Sequence, residues 1–190
     1  TVSAWVKVDK LVGRWGGICG VIQDNGEYER GWLLGYENAR FNFSLNTVNN
    51  SKLTYLADKA DFKIGYWHHV AGVYDGEEIR VYLDGQVVGR TKASGKRTIN
   101  KLPFIVGADP DGAGKPTDSI KADIDGIRIS SVARYTNDVF SPVVDPPVDS
   151  KTLIQLPLDW QVAGFVSVET DQKGEGSTAR IRGSATCVNG

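Results

Sequence analysis

Between residues 39 and 46 the chain alternates strictly, with Ala39, Phe41, Phe43 and Leu45 set against Arg40, Asn42, Ser44 and Asn46. One apolar and one polar face at a period of two is the signature of a half-buried strand and cannot be satisfied by a helix. Residues 67–90 carry three more such runs, WHHVAGVY, IRVYL and QVVGR, parted by Asp75-Gly76 and Asp84-Gly85. Gly takes positive φ without a Cβ clash and Asp tolerates it, so both dipeptides read as hairpin turns. Further β-rich runs lie at 1–8, 17–23, 31–36, 103–108, 124–130, 152–158, 164–170 and 178–188, and no segment has a long apolar stripe at a period of 3.6. A sheet with one apolar face needs a second sheet to cover it. The expected fold is therefore all-β, an antiparallel two-sheet sandwich.

Charge and hydropathy remove two partner classes. Lys+Arg number 22 against Asp+Glu 23, a formal charge of -1 over 190 residues, which is not the basic footprint of a nucleic-acid binder. No apolar run approaches the ~20 residues of a membrane-spanning helix, so no membrane insertion is expected. The chain contains no Met. We therefore expect an N-terminal piece to have been lost, and an export signal would have stood on it.

Four segments in order, TVSAWVKV, WHHVAGVYDGEEIRVYLDGQVVG, PFIVGAD and IDGIRISSVARYTNDVFSP, resemble the laminin G-like group of concanavalin A-like jelly rolls over about residues 1–142. The resemblance implies a jelly roll in an exported bacterial protein, placed outside the cell, in the periplasm or on the cell surface. Its implied partner is a glycan or an extracellular protein surface, met through loops or the concave sheet. Such domains usually open with a strand ahead of the SAWV segment, and TLIQLPLDW (152–160), followed by DQKGEGSTARIRGSATCV, looks like that opening. Between the two lies SPVVDPPVDS, where Pro142, Pro146 and Pro147 mark a linker. About 40 residues rarely fold alone, so the expectation is one domain over 1–190: main sandwich at 1–142, Pro-rich linker at 143–151, closing strands at 152–190. Ile154, Leu156, Leu158 and Trp160 would share the buried face. The alternative is that the tail opens a further repeat.

Catalytic signatures are missing from the sequence. Adjacent His68 and His69 point to opposite faces of a strand, and GxSxG, HExxH and the ExDxxE of jelly-roll glycanases are all absent. Glu27 and Glu29, around Tyr28, read as a solvated turn. A glycoside hydrolase or lyase would need two carboxylates facing each other across a cleft, and nothing selects it. The leading expectation is a non-catalytic recognition or adhesion module. A structural accessory domain without a small ligand is the alternative.

Candidate site residues fall into four groups. In DIDGIRIS, Asp125 shares strand parity with Ile127 and Ile129, so a carboxylate at the edge of the core would need a cation or several amide donors. The family resemblance implies a structural calcium at this position, as the one cofactor expected. The loop DPDGAGKPTD at 109–118 offers Asp109, Asp111 and Asp118, but lacks the terminal Glu of an EF-hand and reads as a surface loop. Arg90, Lys92, Lys96, Arg97 and Lys101 occur without an acidic sequence neighbour, and the first four are candidates for an acidic polysaccharide. Trp15, Trp32 and Tyr36, in a Gly-rich region, are candidate sugar platforms, whereas Trp5 and Trp67 read as core. Cys19 and Cys187, near opposite ends of the chain, are a candidate disulfide.

Overall fold

The computed structural model describes residues 1–26, 28–59 and 61–157, and the backbone of four short strands at 160–162, 166–170, 179–182 and 186–187. The strands are β1 (Val2–Lys10), β2 (Trp15–Asp24), β3 (Glu29–Glu37), β4 (Arg40–Leu45), β5 (Thr54–Ala57), β6 (Trp67–Tyr74), β7 (Glu78–Leu83), β8 (Gln86–Lys92), β9 (Phe104–Val106), β10 (Lys121–Ser130), β11 (Thr152–Leu156), β12 (Trp160–Val162), β13 (Val166–Thr170), β14 (Ala179–Arg182) and β15 (Thr186–Cys187). They form two antiparallel sheets. One runs β15-β12-β10-β1-β6-β7-β8, with β11 also on β10; the other runs β14-β13-β9-β2-β3-β4-β5. The all-β sandwich and its Asp-Gly hairpins are as the alternation requires: β6–β7 turns at Asp75-Gly76 and β7–β8 at Asp84-Gly85, where Asp84 takes φ 50°.

The core lies between the sheets. Val2, Ala4, Val6 and Val8 of β1, Phe41, Phe43 and Leu45 of β4, Val70 of β6 and Ile79 and Val81 of β7 all meet there. Removing such side chains from water is the main favourable term in a fold of this kind. The C-terminal segment adds to the same sheet, with Leu156 of β11 opposite Ile127 and Ile154 opposite Ile129. Leu156 packs against the core while Leu153 remains exposed. Leu158 and the Trp160 side chain lie outside the described residues. Side chains pin the Pro-rich stretch to the sheet: buried Arg128 donates to the Pro147 carbonyl at 3.0 Å and the Thr152 hydroxyl at 2.8 Å, and Arg134 grips Asp149 through two bonds of 2.9 and 2.6 Å.

Parity fails at one point in β10. Ala122 and Ile124 face the core, and so do Ile127 and Ile129, so the alternation shifts by one residue between them. A bulge causes the shift: Ser3 pairs Arg128 and Trp5 pairs Asp125, two steps on β1 against three on β10, with Gly126 at φ 55° as the extra residue. The expectation that Asp125 shares a face with Ile127 and Ile129 is therefore wrong. The bulge turns its carboxylate outward beside Trp5, where it accepts the Gly126 amide at 2.6 Å.

The outer face of the β6–β7 sheet is sealed by the chain itself. Ala71, Val73 and Tyr82 are buried there beneath Ala133, Tyr135 and Phe140. Tyr135 and Phe140 stack at 3.7 Å and 2°, and the Tyr82 hydroxyl donates to the carbonyls of Tyr135 (3.1 Å) and Asn137 (2.9 Å). His69 lies on this face, against Trp5, Tyr135 and Phe140, and His68 on the inner one, against Phe41 and Phe62, as adjacency in a strand demands.

Candidate functional site

The outer face of the other sheet is built differently. Because Phe41, Phe43 and Leu45 point inward, Asn42 and Ser44 of β4 point outward, and because Leu56 of β5 packs on the core, its neighbour Tyr55 points outward too. Backbone pairing sets out two rows across this face, Gly17–Gly35–Asn42–Ala57 and Gly20–Leu33–Ser44–Tyr55. The floor is thus mostly glycine and small polar groups. Gly17 is obligatory, since a Cβ there would fall 2.6 Å from the Asp109 amide and 2.2 Å from the Ala108 carbonyl. The 109–118 loop is therefore held close against the β2 end of the face.

Two rings lie over this floor. Trp15, from the start of β2, and Tyr55, from β5, meet with centroids 5.9 Å apart, and the Arg14 guanidinium sits 5.2 Å from the Trp15 ring. Tyr55 is 46% exposed, yet Asn42 and Ser44 are 2% and 1% exposed. Asn42 Oδ1 and Ser44 Oγ have no hydrogen-bond partner among the described residues. An unpaired buried polar atom costs on the order of 1–3 kcal/mol, which a ligand supplying the bond would recover.

The rim is acidic. The Tyr55 hydroxyl donates to Asp24, and burial together with that carboxylate holds the phenol protonated well above its ordinary range. Asp109 is mostly buried; its pKa is pushed up to about 7, first by burial and then by the negative charges of Asp118 and Asp24. Backbone bonds fix Asp109 and Asp118 as neighbours: the Asp109 amide donates to the Asp118 carbonyl at 3.4 Å, and the Thr117 amide to the Asp109 carbonyl at 2.8 Å. Glu29 is not solvated, its side chain 9% exposed while it accepts from the Leu53 amide and pairs with Lys52 at 3.1 Å. Glu27 lies outside the described residues.

The sequence candidates do not all converge here. Trp15 belongs to the face. Tyr36 is a core residue, 1% exposed and edge-on to Phe62, because it shares parity with Leu34 on β3. Trp32 has the same parity and packs on the core against Phe104. With Arg97, Ile129 and Leu153 it lines two adjoining hollows of about 260 and 370 Å³ between the sheet edges. Arg90, Lys92, Lys96 and Arg97 form no common patch: Arg90 pairs with Asp138 at 2.6 Å, Lys92 sits opposite Glu78, Lys96 is exposed in the following loop, and Arg97 lines the hollows. Their acidic neighbours come from across the sheet and from the 131–142 segment, which sequence adjacency does not reveal. Trp67, expected in the core, is 45% exposed under Lys7.

Cys19 is a free thiol, fully buried on β2 of the seven-stranded sheet. The Cys187 side chain lies outside the described residues, and the strand that carries it, β15, is at the edge of the other sheet. The bulge removes the parity argument for a cation at Asp125 and leaves the family resemblance as the ground for a calcium there. Among the described residues no group of three or more His, Cys, Asp and Glu side chains could hold a metal ion.

Tyr55, Asn42, Ser44, Asp24 and Asp109 went unpicked at the level of sequence. Asn42 and Ser44 carried a signal, as the polar phase of the 39–46 alternation. Asp109 and Asp24 carried none, since 85 positions separate them.

A two-sheet sandwich with these ordered motifs defines a lectin-like jelly roll. The concanavalin A-like lectin/glucanases superfamily, in its third laminin G model, matches residues 1–140, and the chain belongs to that family. Among solved structures it is similar to a Bacteroides ovatus ATCC 8483 protein whose name proposes carbohydrate binding (TM-score 0.63, 15% identity), covering 99% of this chain but only 55% of that one. It is also similar to the carbohydrate-binding module, of type CBM40, from a Ruminococcus gnavus IT-sialidase, in the structure bound to α2,3-sialyllactose (TM-score 0.51, 13% identity, 63% of this chain and 68% of that one). At these identities the likeness is one of fold, and the fold is that of lectin-like modules. No curated protein matches the chain. Among the described residues no helix is long and apolar enough to cross a membrane.

Proposed function

We propose that the chain is a non-catalytic glycan-recognition module of an exported bacterial protein, and that the ligand lies on the outer face of the β2–β3–β4–β5 sheet. One observation carries the reading: two partly exposed rings, Trp15 and Tyr55, lie over two buried polar groups, Asn42 and Ser44, that lack partners among the described residues. A pyranose presents an apolar C–H face for a ring to stack on and hydroxyls for the polar groups. Ligand sites commonly combine an aromatic lining with a few placed polar atoms in this way. Family membership and the bacterial lectin-like neighbours support the class of ligand and the extracellular setting.

The test is a glycan array followed by calorimetry with Trp15→Ala, Tyr55→Ala and Trp32→Leu. Loss of binding in the first two, with binding kept in Trp32→Leu, is expected. Loss only in Trp32→Leu would move the site to the hollows between the sheets. No binding of any glycan by the folded wild type would favour a structural or protein-contacting role.

A further inference from the structure

We infer that this face selects uncharged, hydroxyl-rich glycans and rejects acidic ones, an inference that rests on the glycan reading above. The argument is one of charge and of hydrogen-bond direction. Three cations around the face are paired, the Arg14 guanidinium with Glu37 (Nε donating at 2.9 Å), Arg40 with Asp61 at 2.9 Å and Lys52 with Glu29, while Lys115 is exposed in the 109–118 loop. Asp24 and Asp118, joined by Asp109 once it ionises above about pH 7, remain as a group of like charge beside Tyr55.

An acidic cluster alone would specify nothing, but a second observation points the same way. Asn42 Oδ1 is a buried acceptor that has no donor among the described residues and lies on the outward side of β4, beside a Ser44 hydroxyl that can accept as well as donate. Asp24 and Asp109 add acceptor oxygens at the rim. Such a surface asks its ligand for O–H donors, which a neutral sugar has in abundance. A sialyl carboxylate, a uronate or a sulfate brings acceptors and negative charge instead, and each would meet unpaired acceptors and like charge in partly desolvated surroundings. This is a device for selectivity: the carboxylates reject one class more strongly than they attract the other.

The reading also separates this chain from its structural neighbour. That module is known in complex with α2,3-sialyllactose, an acidic trisaccharide. A shared sandwich does not transfer the ligand, because specificity resides in side chains grafted on the fold.

The experiment takes the best neutral glycan from the array, with its sialylated and sulfated counterparts, and measures Kd for each by calorimetry in low and high salt. The wild type is expected to bind the neutral member at least about fivefold more tightly than either acidic one at low salt, with the gap narrowing as salt rises. Asp24→Asn with Asp109→Asn should close most of the gap, measured above pH 7, chiefly by tightening the acidic members. Asp24→Asn alone serves if the double variant does not fold, since the amide oxygen still accepts from Tyr55. Equal or tighter binding of an acidic member, or a gap unchanged in the Asn variants, overturns the inference while leaving glycan recognition standing. Failure to bind any member of the set overturns both.

Discussion

The two outer faces of this sandwich differ in how their polar groups are treated. On the β6–β7 sheet, the chain folds its own 131–142 segment across the surface, stacks Tyr135 on Phe140 and gives the Tyr82 hydroxyl two carbonyl acceptors. His69 Nδ1 is unpaired there too, but it lies under a closed aromatic layer that leaves the residue 3% exposed. On the β3–β4 sheet the described residues add only a small buried cluster of Ile22, Leu33 and Leu53, and Asn42 and Ser44 are screened by two rings, one of them 46% exposed. Orphaned polar atoms under a fixed lid are a cost of packing. Orphaned atoms under accessible rings are a place for a ligand.

That contrast can be attacked directly. The largest effect should come from the sealed face: Tyr82→Ala removes a fully buried ring and its two bonds, and should cost on the order of 3–5 kcal/mol in urea unfolding. Tyr82→Phe, which loses only the hydroxyl, should cost about 1–2 kcal/mol. If Tyr82→Ala were nearly silent, the 131–142 segment would not be a structural lid.

The pH dependence should distinguish the faces by sign. Burial holds His69 down at about 4 against 6.5 for a free imidazole, so between those values the unfolded chain binds a proton that the folded one refuses. Stability from this group falls as pH drops from 6.5 to 4. Asp109 behaves oppositely: raised to about 7 from 3.8, it keeps a proton when folded that the unfolded chain gives up, so stability falls as pH rises from 3.8 to 7. Asp109→Asn should therefore raise the unfolding midpoint at pH 7 and leave it little changed at pH 4. An equal rise at both values would show that ionisation of Asp109 is not the cause.

Smaller effects are expected from the floor of the open face. Ser44→Ala deletes a buried hydroxyl without a partner, so folding stability should be unchanged or higher by about 1 kcal/mol, while glycan affinity falls. A large loss of stability would mean that Ser44 is structural. The smallest effect concerns Asp125. With its carboxylate turned outward by the Gly126 bulge, we expect the unfolding midpoint in EDTA to match that in millimolar calcium, in the wild type and in Asp125→Asn alike. A calcium-dependent rise abolished by the substitution would restore the structural ion.

Most of the architecture was legible in the chain because the information is local. The 39–46 alternation states which residues face the core, the Asp-Gly pairs state where hairpins turn, and TLIQLPL announces a strand that joins β10. The same reasoning went astray wherever parity was interrupted or needed a partner. Tyr36 and Trp32 read as platforms in the sequence because their Gly-rich surroundings suggest loops, whereas β3 is a regular strand and both rings point inward. Arg90 and Lys92 seemed uncompensated because Asp138 and Glu78 are distant in sequence or on another strand.

Sequence by itself thus determined the sandwich, the inward row of Phe41, Phe43 and Leu45, and the outward phase of Asn42 and Ser44, all consequences of a period of two, while four ordered motifs carried the resemblance to the jelly-roll family. Tertiary structure alone decided that Gly126 reverses the parity of Asp125. It also brought Trp15 from β2 to meet Tyr55 from β5, and Asp24 to share a field with Asp109 and Asp118. The physical reason is that alternation fixes the face of a residue but not its neighbours on that face. Those depend on register, bulges and the path of the sheet, which are settled only when distant strands pair.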